Sequence, residues 1–201
     1  MRSPVQRSLA VAALLSLFAI PALAQEDEEG RFALGVGGGL VTSGGSSDPY
    51  FMGNLRMRIG YRAAGEERQG SVFGFVEPEV GYSTRSIGTF DSKDTLVGVN
   101  VGGAVRLRVF EYFVGGGVGY HFLDETGITS GGQSLDVSDN NVGVNAQFGF
   151  DVRMSEVVSI FGVGRYDLVQ ETDEQRDARR RLGVRSGEQQ TKVYLGVRFR
   201  L

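Results

Sequence analysis

The only histidine of the chain, His121, is the first residue to consider for chemistry, because imidazole exchanges protons near neutral pH. Asp124 and Glu125 follow it closely, and Ser130 and Ser134 lie in the next polar stretch. Serine, histidine and an acid are the residue types of a hydrolase triad, but the spacing here supports no such set. We therefore expect His121 to be a hydrogen-bonded residue of a polar interior, and we assign no catalytic residue.

Metal, cofactor and nucleic-acid sites also have little support. The chain has no Cys and one His, which disfavours a transition-metal site, and we expect no cofactor. The glycine triplets at 37–39 and 115–117 lie inside alternating segments with no helix after them, so packing explains them better than phosphate binding. The formal charge of −3 shows no basic excess, and no nucleic-acid partner is predicted.

Charged residues alternate with apolar ones in several segments, so that one face of each segment is ionic and the other is apolar. Arg56 and Arg58 in one segment lie opposite Glu77 and Glu79 in the next, which predicts a ladder of interior ion pairs. The lumen of an eight-stranded barrel is wide enough only for side chains, and ionic side chains with glycines can fill it. The predicted barrel-interior polar network comprises Arg56, Arg58, Glu77, Glu79, Arg106, Arg108, Asp151, Arg153, Arg165, Asp167 and Arg198, with Arg200 on the same face.

The start of the chain is typical of an export signal. Arg2 and Arg7 precede an apolar stretch from Leu9 to Ile20, and Ala22-Leu23-Ala24 resembles a cleavage site. We predict a cleaved signal peptide over 1–24, a short disordered acidic lead over 25–30 and one barrel domain over 31–201; an uncleaved anchor is the alternative. Removal of residues 1–24 takes away two arginines and no acid, so the formal charge falls from −3 to −5.

After the acidic lead, eight segments alternate and are separated by turn-rich stretches. This pattern and the 31 glycines predict an all-β protein, an eight-stranded antiparallel up-and-down β-barrel. Short and long connections segregate, as in membrane barrels with short periplasmic turns at one end and long external loops at the other. The predicted even-numbered connections are 63–70, 110–111 and 154–156, and the odd-numbered ones are 42–49, 84–94, 123–140 and 170–191; the two tightest are both even-numbered and the two longest both odd-numbered.

The alternation pattern allows more than one local structure in two segments. The seventh has two registers, and we favour the one with Val158, Ile160, Tyr166 and Leu168 on the apolar face. That register keeps Arg165 and Asp167 inside, whereas an arginine at mid-bilayer on the lipid face costs about 2–4 kcal/mol. In the third segment, Pro78 removes a ladder donor, and we expect a bulge or an open hydrogen bond there.

The last stretch ends the chain on an apolar residue in strict alternation. Tyr194, Gly196, Phe199 and Leu201 resemble the C-terminal assembly signal of bacterial outer-membrane β-barrels, although Leu201 stands where that family usually has Phe. The resemblance implies the barrel-assembly machinery as a partner during insertion. An amphipathic edge strand of a soluble sandwich, or a soluble barrel with its apolar face inside, is the alternative.

From Arg31 to Leu201 the chain is similar to the small OmpA- and OmpX-like outer-membrane β-barrel family. The resemblance implies a transmembrane barrel in the cell outer membrane, in contact with lipid and lipopolysaccharide, with a structural or surface-interaction role through its external loops. Arg179, Arg180 and Arg181 are the candidates for lipopolysaccharide phosphates, and the 128–137 hairpin is the candidate for a surface protein partner. A narrow ion channel and, with less support, a lipid A-modifying enzyme are the alternatives; we predict no enzyme.

Overall fold

The computed structural model describes residues 32–43, 46–64, 70–87, 89–128, 132, 134–182 and 188–201, and the predicted signal peptide and acidic lead lie outside them. Eight strands pair antiparallel with their sequence neighbours, and β8 returns to β1, so the sheet closes into a barrel. The prediction of an eight-stranded up-and-down barrel is confirmed. The strands are β1 Phe32–Ser43, β2 Ser46–Ala64, β3 Gly70–Ile87, β4 Phe90–Leu107, β5 Phe110–Ile128, β6 Ser134–Arg153, β7 Val158–Val169 and β8 Gln189–Arg200.

Successive side chains of each strand point to opposite faces of the wall, and the two faces differ in chemistry. On β5, Val114 is 65% exposed on the outside, whereas its neighbour Phe113 is 3% exposed inside. On β8, Val193 and Leu195 are exposed and Arg198 is fully buried. The apolar face therefore points outward and the ionic face inward, which is the reverse of a soluble barrel with a dry core.

One end of the barrel, which we call the turn end, carries the connections at 108–109 and 154–157, the start of β1 and the end of β8. Arg108 lies in the first of these turns, is exposed and has a left-handed φ of 56°. Its prediction as an interior residue is therefore wrong. The turn falls two residues earlier than expected because Phe110, paired with Leu107 and Val152, already belongs to β5.

The opposite end, which we call the hairpin end, differs from the prediction in its connections. Three of the four connections expected at this end are mostly strand. β1 continues to Ser43 and β2 starts at Ser46; β3 continues to Ile87 and β4 starts at Phe90; and β5 continues to Ile128 and β6 starts at Ser134. Polar residues point outward in these extensions, and the sequence pattern therefore resembled loops. A helix, α1, spans Asp173–Leu182 in the last connection.

Two local predictions have clear outcomes. In β7 the favoured register is observed: Ile160, Tyr166 and Leu168 are exposed, and Arg165 and Asp167 are buried. At Pro78 the second of the two expected outcomes is observed: β2 and β3 keep one register from Asn54↔Glu79 to Met57↔Val76 with no bulge, but the strand pairing is interrupted between these pairs. The register shift between the two strands lies elsewhere, between Ile59 and Tyr61. No helix in the described part of the chain has the length and apolar character needed to cross a membrane.

Candidate functional site

The lumen at the turn end holds a buried ion-pair network, which we call the lower network. Glu77 of β3 accepts hydrogen bonds from Arg56 Nε at 2.6 Å and from Arg198 Nη2 at 3.3 Å. Asp151 of β6 accepts from Arg198 Nη1 at 2.6 Å, and Arg200 Nη2 lies 3.6 Å from its other oxygen. Four strands are thereby joined across the lumen by residues that strand alternation turns inward.

Glu111 at the start of β5 is the third acceptor of the lower network. Its Oε2 accepts from Arg58 Nη2 at 3.1 Å and from Arg106 Nη2 at 3.2 Å, and its Oε1 lies 3.4 Å from Arg56 Nη1. Of the predicted ladder between β2 and β3, the pair Arg56 with Glu77 is observed, whereas Arg58 binds Glu111 and Glu79 binds Arg165. One carboxylate therefore serves three guanidinium groups.

An aromatic layer lies above the lower network. Arg56 Cζ lies 4.3 Å from the ring centre of Phe75 and 4.0 Å from that of Phe113, and Arg198 Cζ lies 4.5 Å from that of Phe161. These distances permit cation–π attraction in a desolvated interior. Gly115 makes room for this layer, because a Cβ there would lie 3.2 Å from Phe75 Cζ and 2.7 Å from the Val101 carbonyl oxygen.

A second set of ion pairs, the upper network, lies nearer the hairpin end. Arg165 of β7 binds Glu79 of β3 across the lumen and Asp167 Oδ1 of its own strand at 2.7 Å. Lys192 Nζ lies 3.4 Å from the other oxygen of Asp167. Tyr50 and Tyr194, with ring centres 5.5 Å apart, are both buried inside the barrel beside these pairs.

His121 faces the lumen next to the upper network. Its Nδ1 lies 3.0 Å from Asp94 Oδ2, and Gln190 Nε2 donates to the same oxygen at 3.4 Å. The edge of the ring with Nε2 faces the wall, since a Cβ on Gly143 would lie 3.0 Å from it. His121 is 1% exposed and is therefore enclosed within the barrel, on the inner face of the wall.

Helix α1 is tied to the hairpin end of the lumen. Arg179 binds Glu125 of β5 and Glu171, and Asn141 Nδ2 donates to Gln175 Oε1 at 2.7 Å. Burial alone lowers the pKa of the Arg179 guanidinium, but its hydrogen bonds to Glu125 and the charge of Glu171 outweigh that and raise it above its ordinary value. Arg179 is therefore a buried anchor and is not placed to contact lipopolysaccharide; Arg180 and Arg181 on the same helix are exposed.

Ten of the eleven predicted network residues lie inside the barrel, where Arg58, Arg106 and Arg153 are half-buried, and Arg108 is the exception. The prediction missed Glu111, Asp94 and Lys192 as members of the network. Glu111 lies in inward phase with Phe113, which sequence alternation shows once the turn is placed at 108–109. Among the described residues, no group of three His, Cys, Asp or Glu side chains is placed to hold a metal ion.

On the outer wall, a cavity of about 810 Å³ lies between α1 and the upper parts of β6 and β7. Its lower lining is apolar, with Val142, Val144 and Leu168 on the outer face. Its upper lining is polar and includes Arg176, whose guanidinium lies 2.9 Å from Glu188 Oε1.

Comparison with known proteins agrees with this architecture. Neisserial surface protein A matches with a TM-score of 0.55 at 11% identity, over 87% of this chain and 100% of that one. A major outer membrane protein from Thermus thermophilus matches with a TM-score of 0.58 at 12% identity, over 85% and 99% of the two chains. The outer membrane enzyme PagL matches with a TM-score of 0.49 at 10% identity, over 84% and 99%.

Likeness at these identities concerns the fold alone, and no curated protein sequence matches the chain. The family assignment rests on the sequence itself. A family model described as the outer membrane protein beta-barrel domain matches residues 10–200. The chain therefore belongs to the outer-membrane β-barrel family, and its apolar face meets the lipid of the outer membrane.

Proposed function

We propose that this protein is a closed, non-conducting barrel that holds a rigid β-sheet above the outer membrane for contact with other surface molecules. The observation that carries the proposal is the difference in strand length. Strands β2 to β6 have 18 to 20 residues, whereas β1, β7 and β8 have 12 each. The extra residues of β2 lie at the turn end, beyond its last pair with β1, but at the hairpin end β6 continues over 134–142 past its last pair with β7, which is roughly 30 Å of strand at about 3.3 Å per residue.

The projecting sheet has an accessible edge on β6. In the described part of the chain, β6 pairs with β7 only from Gly143 onward, while its pairing with β5 continues to Ser134. Helix α1 covers the part nearest the barrel through Asp139 and Asn141, which bind Thr172 and Gln175. Among the described residues, the stretch 134–138 thus has no strand neighbour on this side, which is the feature that strand addition by a partner requires.

The test removes the sheet and keeps the barrel. Residues 127–135 are replaced by an Asn-Gly turn that joins Thr126 to Asp136, which are already paired. We expect the shortened chain to fold and insert, as shown by its heat-modifiable migration in gels, and to lose adhesion to host or neighbouring cells. Unchanged adhesion with the hairpin removed would contradict the proposal. An envelope role alone would be indicated if cells that lack the protein and cells that carry the shortened chain both lose their resistance to detergent.

The absence of conduction follows from the filling of the lumen by the two networks and the aromatic layer between them. The alternative, a narrow ion channel, requires a continuous water path past fully buried side chains such as Arg56 and Arg198. Planar-bilayer recordings of the mature protein separate the two functions. We expect no stepwise currents, and regular single-channel steps would establish the channel.

A lipid A-modifying activity is the weaker alternative. Its candidate base, His121, is enclosed by the wall and bound to Asp94, whereas lipid A lies on the outer face. The lipid A profile of cells that overproduce the protein should match that of cells carrying His121→Ala. A modification that disappears in the variant would assign the enzyme.

The two exposed arginines at the end of α1 support a contact with lipopolysaccharide. Acyl chains would lie against the outward-facing Val142 and Leu168, and the head-group phosphates would bind Arg180 and Arg181, which lie outside the lining of the cavity. Replacement of both arginines by glutamine should reduce the lipopolysaccharide that copurifies with the barrel, without a change in folding. Equal copurification would remove these two residues from the contact.

A further inference from the structure

The two faces of the sheet differ in chemistry along the free edge of β6. Leu135 and Val137 point to the inner face and are half-buried. The residues of the same stretch that point outward are all exposed and polar: Ser134, Asp136 and Ser138. A strand that adds to this edge therefore meets apolar side chains on one face and polar ones on the other, because its own side chains alternate in the same way.

The inner face of the edge continues a small apolar cluster in the projecting sheet. Gly127 of β5 pairs with Leu135 on one side and with the buried Phe90 of β4 on the other. Leu182, the last residue of α1, lies over this glycine, since a Cβ on Gly127 would be 2.9 Å from the Cδ2 atom of Leu182. An apolar side chain of an added strand would extend this cluster beyond Leu135 and Val137.

The outer face beside the edge is acidic. Asp136 pairs with Thr126 of β5, which in turn pairs with Asp91 of β4, and the row ends on a serine of β3. This row therefore carries two acids and no base. Lys93 lies on the adjacent row, opposite Asp124. Opposite charges directly across a strand pair stabilise it, so a basic residue on the added strand is favoured opposite Asp136.

A second copy of this chain fits the edge poorly. Copies that face each other from two membranes would pair antiparallel, and a register centred on this stretch puts Asp136 opposite Asp136, where like charges repel. Copies in one membrane are related by rotation about its normal, which would join the polar face of one sheet to the apolar face of the other. Asp136 also points outward and leaves the apolar face open, unlike the inward-pointing charges that protect natural edges.

We propose that the β6 edge at 134–138 takes up an extended protein segment in which apolar and basic residues alternate. The apolar side chains lie beside Leu135 and Val137, and a lysine or arginine lies opposite Asp136. This inference rests on the proposed function of the projecting sheet and specifies the chemistry of its partner. Alternate residues of β6 provide the N–H and C=O groups that bind the added strand, and Asp136 sets the charge preference.

The experiment uses two end-blocked peptides, Thr-Thr-Val-Lys-Val-Thr-Thr and the same peptide with Glu in place of Lys. Binding to the mature barrel in a non-ionic detergent is measured from the shifts of the backbone amide NMR signals of residues 134–138. We expect the Lys peptide to bind between about twofold and thirtyfold more tightly, because an attractive cross-strand pair replaces a repulsive one. Equal affinity of the two peptides, or no binding by either, would overturn the proposal.

Two substitutions in the barrel separate pairing at the edge from general attraction to an acidic surface. Asp136→Lys should reverse the preference, so that the Glu peptide binds more tightly. Asp91→Lys makes the same change of charge on the same outer face, two strands away from the edge, and should leave the preference for the Lys peptide in place. An equal effect of the two substitutions would overturn the proposal.

N-methylated peptides test whether the backbone of the partner pairs with β6. Alternate N–H groups of an added strand point toward β6 and the others point away. One version of the Lys peptide is methylated on the first set of alternate nitrogens and a second version on the other set. Loss of binding by one version only supports strand addition, whereas equal affinity of the two versions would overturn it.

Adhesion assays distinguish this inference from the proposed function. Cells with Asp136→Lys should lose adhesion, as cells with the shortened hairpin do, whereas cells with Asp91→Lys should retain it. Adhesion that is lost with the shortened hairpin but unchanged with Asp136→Lys would overturn the partner chemistry and leave the function of the sheet in place. Lipid vesicles that carry the barrel and cluster without any peptide would assign the edge to a second copy and overturn the proposal.

Discussion

Replacement of Glu77 by Gln tests the energetic role of the lower network. Glu77 is 1% exposed and its Oε2 binds two buried arginines, Arg56 at 2.6 Å and Arg198 at 3.3 Å. Removal of one partner of a buried ion pair costs about 3–5 kcal/mol. Arg198 keeps Asp151 at 2.6 Å and Arg56 keeps Glu111 at 3.4 Å, so we expect the lower limit, about 3 kcal/mol, or roughly a hundredfold in the unfolding equilibrium.

The assay is denaturant unfolding of the barrel in detergent micelles, followed by the shift between its folded and unfolded bands on gels. The matched control is Glu188→Gln, which breaks a pair with Arg176 whose two side chains are 45% and 43% exposed. That pair should contribute about 0–1 kcal/mol. An equal, small effect of the two substitutions would refute the view that the lower network is a desolvated structural element.

Three further tests, two of them with a control substitution, concern the packing of the wall, the anchoring of α1 and the backbone strain of one turn. Gly115→Ala places a Cβ 2.7 Å from a backbone oxygen and should lower the free energy of unfolding by about 1–3 kcal/mol in the same denaturant assay. Gly103→Ala is the control, because there is open space around Gly103, and it should change the free energy of unfolding by less than about 0.5 kcal/mol. Arg179→Gln should release α1 and make the last connection sensitive to limited proteolysis, whereas Arg180→Gln should not; equal cleavage would contradict the anchor. Arg108→Gly should stabilise the barrel by about 1 kcal/mol, because glycine adopts the left-handed backbone conformation of this position without strain. A lower denaturant concentration at the midpoint of unfolding would contradict this prediction.

The fold was predictable because strand alternation in a barrel wall is strict. Each strand must bury one face and expose the other, so Val97 to Val105 in β4 or Val193 to Phe199 in β8 show a period of two in the sequence. The hairpin extensions were not predictable in the same way. Outside the membrane both faces of a strand can be polar, and the sequence of such a strand resembles that of a loop.

The composition of the lumen was predictable, but the pairing within it was not. Alternation tells which residues point inward, and it identified Arg56, Glu77 and Arg198. Partners across the lumen, such as Arg165 with Glu79, depend on strand tilt and register, which no local pattern contains. Glu111 was missed for another reason, because its inward orientation follows from the position of one turn.

The central claim is that the apolar face meets lipid and the ionic face fills the lumen. The chain contains no Trp, so a single introduced Trp reports its own surroundings. Val114→Trp, at an exposed outer position, should lose most of its fluorescence in bilayers of lipids brominated on their acyl chains. Phe113→Trp, at the adjacent inward position, should keep its fluorescence. Strong quenching at position 113 with none at position 114 would contradict the account.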